Sequence, residues 1–166
     1  MIKIGDLFEI TLSDHRTAIG HYVYRDNKNG PFIQVFDYIE NKQKMNVEDA
    51  VKKGYMFPPV ITGLKAAIRK GLWIVIGKRP VTDFIYPKFI SAHWDDKTGE
   101  VKSWFLYNGS NFIKIGSFLD EQYKTLEYLV VWSPIDIISR VETGIIPFPY
   151  GEMIRNNKFI PPSSSI

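Results

Sequence analysis

The chain has 166 residues, of which 45% are hydrophobic, 23% charged and 14% aromatic, which excludes a disordered or low-complexity segment and fits a globular protein. It has no cysteine, which excludes disulfides, thiolate nucleophiles and thiolate metal sites together. Its net charge of +3 is too small for the footprint of an obligate nucleic-acid binder. No run approaches the roughly 18 apolar residues needed to cross a bilayer, and Asp6 and Glu9 interrupt the opening segment, so the expectation is a cytoplasmic protein with neither membrane span nor secretory signal. The charge is uneven. Residues 1–83 carry thirteen Lys/Arg against nine Asp/Glu, and residues 84–166 carry eight against nine.

In chain order, Leu7–Leu12, Thr17–Arg25 and Phe32–Tyr38 are rich in β-branched and aromatic residues. They are separated by the polar turns Ser13–Arg16 and Asp26–Pro31, which predicts three strands in an antiparallel meander. Asn46 precedes a short helical segment with Glu48 and Asp49 in its first turn and Lys52 and Lys53 in its last, stopped at Gly54. A second helix is expected over about Thr62–Lys70, ending at Gly71. Leu72–Gly77 is apolar without alternation, which predicts a strand buried on both faces. Phe89–Trp94 and Val101–Tyr107 flank the polar turn Asp95–Glu100 and read as a hairpin, with Phe112–Ile115 as a further strand. Tyr128–Trp132 reads as one strand, and Ser133–Pro134 opens a helix over Pro134–Thr143 that presents Ile137, Ile138 and Val141 on one face before Gly144. The expected fold is therefore α+β: a mostly antiparallel, strongly curved or barrel-like sheet of about seven or eight strands with two or three short helices. It forms a single domain over residues 1–150, followed by a proline-bearing tail over 151–166 that wraps or frays.

Catalytic motifs are missing. His15, His21 and His93 have no HxH or HExxH spacing, so no metal is expected, and each reads as a surface or hydrogen-bonded residue. No GxSxG, SxxK, GxxxxGK[ST] or GxGxxG occurs. The acid pairs Glu48-Asp49, Asp95-Asp96 and Asp120-Glu121 fall at helix starts or turns, where carboxylates are ordinary and neighbours point apart. No enzyme and no cofactor are expected.

Two surfaces remain. The hairpin joins Trp94 and Trp104, read as near cross-strand partners, to an acidic tip of Asp95, Asp96 and Glu100, a surface suited to a basic protein partner. The plainer reading packs these rings inward, and Trp73 and Trp132 read as core. Between Lys52 and Arg79 there is no carboxylate; Lys65, Arg69, Lys70, Lys78 and Arg79 form an alternative patch for an anionic ligand, or simply a solvated basic face. A nucleic-acid or carbohydrate-binding module using the 52–79 stretch or the Trp94/Trp104 hairpin is the alternative to a protein-binding role.

The order of segments resembles a known family. Ile4-Gly5-Asp6-Leu7-Phe8-Glu9-Ile10 and Ala18-Ile19-Gly20-His21-Tyr22-Val23 resemble the opening "GD-x-F-x-I" and "yG-x-V" strands of the immunity protein 26 family of bacterial polymorphic-toxin systems, the second being one residue longer here. Gly71-Leu72-Trp73-Ile74-Val75-Ile76-Gly77 is similar to the family's "G-x-W-x-x-I-G" run, and Leu126–Pro134 with the following helix to its closing segment, so the resemblance spans roughly residues 2–144. The resemblance implies a cytoplasmic antitoxin that binds and blocks a cognate toxin domain. It implies no reaction of its own. The chain is expected to be a monomer or weak homodimer with no membrane partner, and its small net charge disfavours nucleic acid.

Overall fold

The structure, a computed structural model, describes residues 1–163. Among them the chain forms β1 (Asp6–Thr11), β2 (Arg16–Asp26), β3 (Gly30–Val35), β4 (Glu40–Asn41), α1 (Val47–Lys52), β5 (Val60–Thr62), α2 (Leu64–Arg69), β6 (Trp73–Lys78), β7 (Phe89–Trp94), β8 (Val101–Tyr107), β9 (Phe112–Gly116), β10 (Glu127–Tyr128), β11 (Val131–Trp132), α3 (Pro134–Thr143) and α4 (Tyr150–Asn156). The α+β expectation holds. In place of one sheet of seven or eight strands there are two sheets, and the count rises because β4 and β5, of two and three residues, are too short to leave a sequence pattern and one expected strand is split into β10 and β11. No ladder closes either sheet among the described residues. The chain divides into two compact units, one of residues 1–85 and 130–144, the other of 86–129 and 145 onward.

The first unit holds the seven-stranded sheet, ordered β11-β5-β3-β2-β1-β6 with β4 alongside β2. The expected meander is its centre: β1 pairs antiparallel with β2, and β2 with β3. Phe8, Ile10, Ile19, Phe32, Ile33 and Trp73 are fully buried. Phe8 stacks on Trp73 with centroids 5.1 Å apart, and Gly20 lies opposite Phe8 in the ladder. A Cβ on Gly20 would stand 2.2 Å from the Phe8 ring, so only glycine lets this ring lie across β2. Asn46 caps α1 by accepting the Asp49 N–H (3.1 Å), and Ala50 packs with Leu7, Ile19 and Phe36. Ser133 caps α3 through the Asp136 N–H (3.1 Å), Pro134 opens it, and Gly144 ends it at φ +72°. Ile137 and Val141 of α3 are buried, and the Arg140 guanidinium lies 4.2 Å from the Phe57 ring centre.

One expectation here is overturned. The apolar run 72–77 forms β6, but β6 is the sheet's edge, and only Trp73 in it is buried. An unbroken apolar run is the ordinary mark of a strand buried on both faces, and here it lies on an edge instead.

The second unit holds the four-stranded sheet β10-β7-β8-β9. Expected strand Tyr128–Trp132 is in fact two: Glu127–Tyr128 pairs parallel with β7, while Val131–Trp132 pairs parallel with β5 of the first unit's sheet. The Ala92 N–H donates to the Tyr128 hydroxyl (3.2 Å), and the Tyr128 ring stacks on Tyr150 at 4.3 Å. The segment after residue 150, expected as a tail that wraps or frays, carries α4, which Asn157 ends in the left-handed region at φ +55°. The last three residues of that tail lie outside the described ones.

Candidate functional site

The β7–β8 hairpin forms as expected, but its register separates the two tryptophans. Ala92, not Trp94, pairs with Trp104, so the ladder itself sets Trp94 beyond Trp104, and a bulge between His93 and Trp94 then places Trp94 opposite Val101. Trp104 is fully buried, with its indole N–H donating to Asn157 Oδ1 at 2.7 Å. Trp94 is half-buried and stacks on Phe159 at 4.3 Å and 16° between planes. The stretch following α4 also borders the turn: the Phe159 N–H donates to the Gly99 carbonyl (2.7 Å) and the Val101 N–H to that of Asn157 (3.0 Å). Gly99 sits at φ +76°, and a Cβ there would stand 2.1 Å from the Phe159 carbonyl oxygen. Trp94, Lys97, Lys158, Phe159, Ile160 and Pro161 are among the residues lining an open groove of about 570 Å³ beside the turn.

The three acids at this tip do different work. Asp95 Oδ1 accepts the Lys97 and Thr98 N–H groups at 2.9 Å each, and Oδ2 lies 3.5 Å from the Lys102 ammonium. The backbone donors of Thr98 and Lys97 hold its carboxyl below the usual aspartate range, so Asp95 is ionised and builds the turn. Asp96 and Glu100 are exposed, and their carboxylates have no hydrogen bond or ion pair among the described residues. They are the acids a basic partner can reach.

The basic residues are not one patch. Lys65 and Arg69 on α2 line an open groove of about 350 Å³ with Arg25 of β2, and Lys70 caps the same helix. Lys78 and Arg79 stand at the other end of β6, roughly 16 Å of strand from Trp73. Arg79 pairs with Glu48 at 3.3 Å. Of the acid pairs, Glu48-Asp49 and Asp120-Glu121 are exposed, Glu121 pairing with Lys124, and Asp95-Asp96 form the turn described above.

A polar pocket of about 220 Å³ in the first unit has no counterpart in the sequence reading beyond a hydrogen-bonded histidine. His21, buried on β2, contacts the Arg79 carbonyl through Nε2 (2.8 Å) and the Tyr55 hydroxyl through Nδ1 (2.9 Å), and Arg79, Asp83 and Phe84 add to the lining. A carbonyl only accepts, so Nε2 carries the proton and Nδ1 accepts from Tyr55. Burial lowers the His21 pKa, and the nearby Arg79 charge adds to this against the hydrogen bond to its carbonyl, which keeps the ring neutral. With both nitrogens occupied, His21 holds the segment after β6 in place and is not free for chemistry. Among the described residues no group of three His, Asp or Glu side chains could hold a metal ion, and no helix is long and apolar enough to cross a membrane.

The residues that carry the family resemblance converge on one structural cluster. Phe8 comes from the first motif, Gly20 from the second and Trp73 from the third, and they form the ring stack and its glycine seat described above. No curated protein and no solved structure matches the chain. A family model does: that of Immunity protein 26 matches residues 3–100, which takes in all three motifs, the meander, β6 and the acidic turn, whereas the closing segment 126–134 lies beyond the match. With more than half of its length matched, the chain belongs to the Immunity protein 26 family.

Proposed function

We propose that this chain is the antitoxin of a bacterial polymorphic-toxin system: in the cytoplasm it binds a cognate toxin domain and neutralises it, catalysing no reaction of its own. The observation that carries this reading is the family match over residues 3–100. The geometry supports it, because an inhibitor needs a rigid scaffold and a complementary surface, and the motif residues are spent on packing. The proposed contact is the acidic turn, where Asp96 and Glu100 offer unpaired carboxylates to a basic face of the toxin and the Trp94–Phe159 stack gives an aromatic anchor. Trp104 supports that surface from beneath, and Asp95 shapes it. A pI of about 9.0 speaks against whole-molecule mimicry of a nucleic-acid substrate, so recognition rests on this local acidic turn.

Co-expression tests the reading: the toxin domain encoded beside this gene should kill cells alone and be tolerated when this chain is present. Absence of any such toxin gene, or undiminished killing, would reject it. One observation favours a second reading, a module for an anionic ligand: Arg25, Lys65 and Arg69 share one groove. Steeply salt-dependent binding of RNA or DNA would support that reading. The sugar-stacking version has lost half of its tryptophan pair to the core.

A further inference from the structure

The edge of the larger sheet is left open. β6 pairs with β1 alone, so every other residue turns its N–H and C=O outward with no strand to receive them. Natural edge strands are usually short, charged or covered, because an open edge invites pairing. β6 has six residues, and Ile74, Val75 and Ile76 are 55%, 41% and 42% exposed, with Leu72 beside them at 41%. An apolar strand exposed to this degree on consecutive residues presents side chains on both faces of the sheet as well as a free ladder.

The charge around the edge says what it would accept. Residues 50–82 hold seven Lys/Arg and no carboxylate. Lys70 precedes the strand and Lys78 ends it; both are exposed and neither has an ion pair among the described residues. Neither acid on neighbouring β1 forms an ion pair with these lysines: Asp6, opposite Lys78, accepts the Lys3 backbone N–H at 2.7 Å, and Glu9, opposite Ile74, lies 3.4 Å from Lys42. Pairing of two copies through β6 would bring these lysine-bearing edges together with no carboxylate ion-paired to either lysine. An extended segment with apolar residues along it and carboxylates at its ends would satisfy both the ladder and the charge.

We propose that β6 is a strand-addition site, at which an extended, acid-flanked segment of the toxin adds to the sheet. This rests on the toxin-binding reading and names a surface for it beyond the acidic turn. The test uses the full chain and the purified, catalytically inactivated toxin domain encoded beside its gene, with hydrogen exchange and affinity as readouts. Complex formation should protect the amides of 72–78, and I74K, V75K and K78E should each weaken binding by about tenfold or more, with thermal unfolding of the free variants unchanged. Lys78 is exposed at the strand's end, so K78E reports even if a lysine in mid-strand disturbs the sheet. A complex that forms with no protection at 72–78 and no loss in the variants overturns the strand-addition site and leaves toxin binding intact. Failure of the wild-type chain to bind rejects both. Concentration-dependent dimers that I74K dissolves would assign the edge to a second copy, and also overturn it.

Discussion

A single missing side chain decides how the largest sheet packs. Phe8 can lie flat across β2 and against Trp73 only because Gly20 has no Cβ. Gly20→Ala should therefore destabilise the protein by about 1–3 kcal/mol, the ordinary cost of overpacking a filled core, read as a lower denaturation midpoint with unchanged slope. His21 gives a pH signature at the same scale. Its folded pKa lies below the unfolded value near 6.5, so between the two the unfolded chain binds more protons. Stability is full above about pH 6.5, falls as pH drops from there to the folded pKa, and levels off below it. Melting temperatures across this range should show that fall in the wild type and a flatter profile in His21→Gln. Asp95 and Asp14, both depressed, add their own loss only as pH falls below the ordinary value of 3.8. Of these residues, glycine's role was not legible in the sequence, where Gly20 is one letter of a motif; the need for it exists only once Phe8 lies across the ladder.

Among the elements, those with local signals were the legible ones. Asn46, Ser133, Pro134 and Gly144 each act through atoms within four residues, and the helices they bound form where expected. The meander and the hairpin are likewise joined by short turns. What failed depends on distant partners. β6 is exposed because no strand lies beyond it, and Trp94 misses Trp104 because the hairpin register pairs Ala92 with Trp104, neither of which has a local signature. Half of the candidate site was legible: the acidic turn is where the sequence placed it, but Phe159, sixty residues after Gly99, supplies its stacked ring. Gly99→Ala should separate the two, since its Cβ would collide with the Phe159 carbonyl. The expected result is faster proteolysis after α4 and altered Trp94 fluorescence, with the far-ultraviolet circular dichroism of the sheets retained; an unchanged digestion pattern would contradict the contact.

For the whole molecule, the charge asymmetry of the sequence has a spatial form. Among the exposed acids, Asp96 and Glu100 stand together on one hairpin turn, and among the exposed bases, Lys70 and Lys78 bracket one sheet edge. The net +3 describes neither. Double reversal of Asp96 and Glu100 to lysine should weaken toxin binding by about tenfold or more and slow association at low salt, with stability unchanged. Toxin neutralisation itself is tested most directly by titrating the purified chain into the toxin domain encoded beside its gene while following that domain's activity. A saturable complex in which activity falls in proportion to occupancy is expected; activity that persists at saturating antitoxin, or no complex at all, would contradict it.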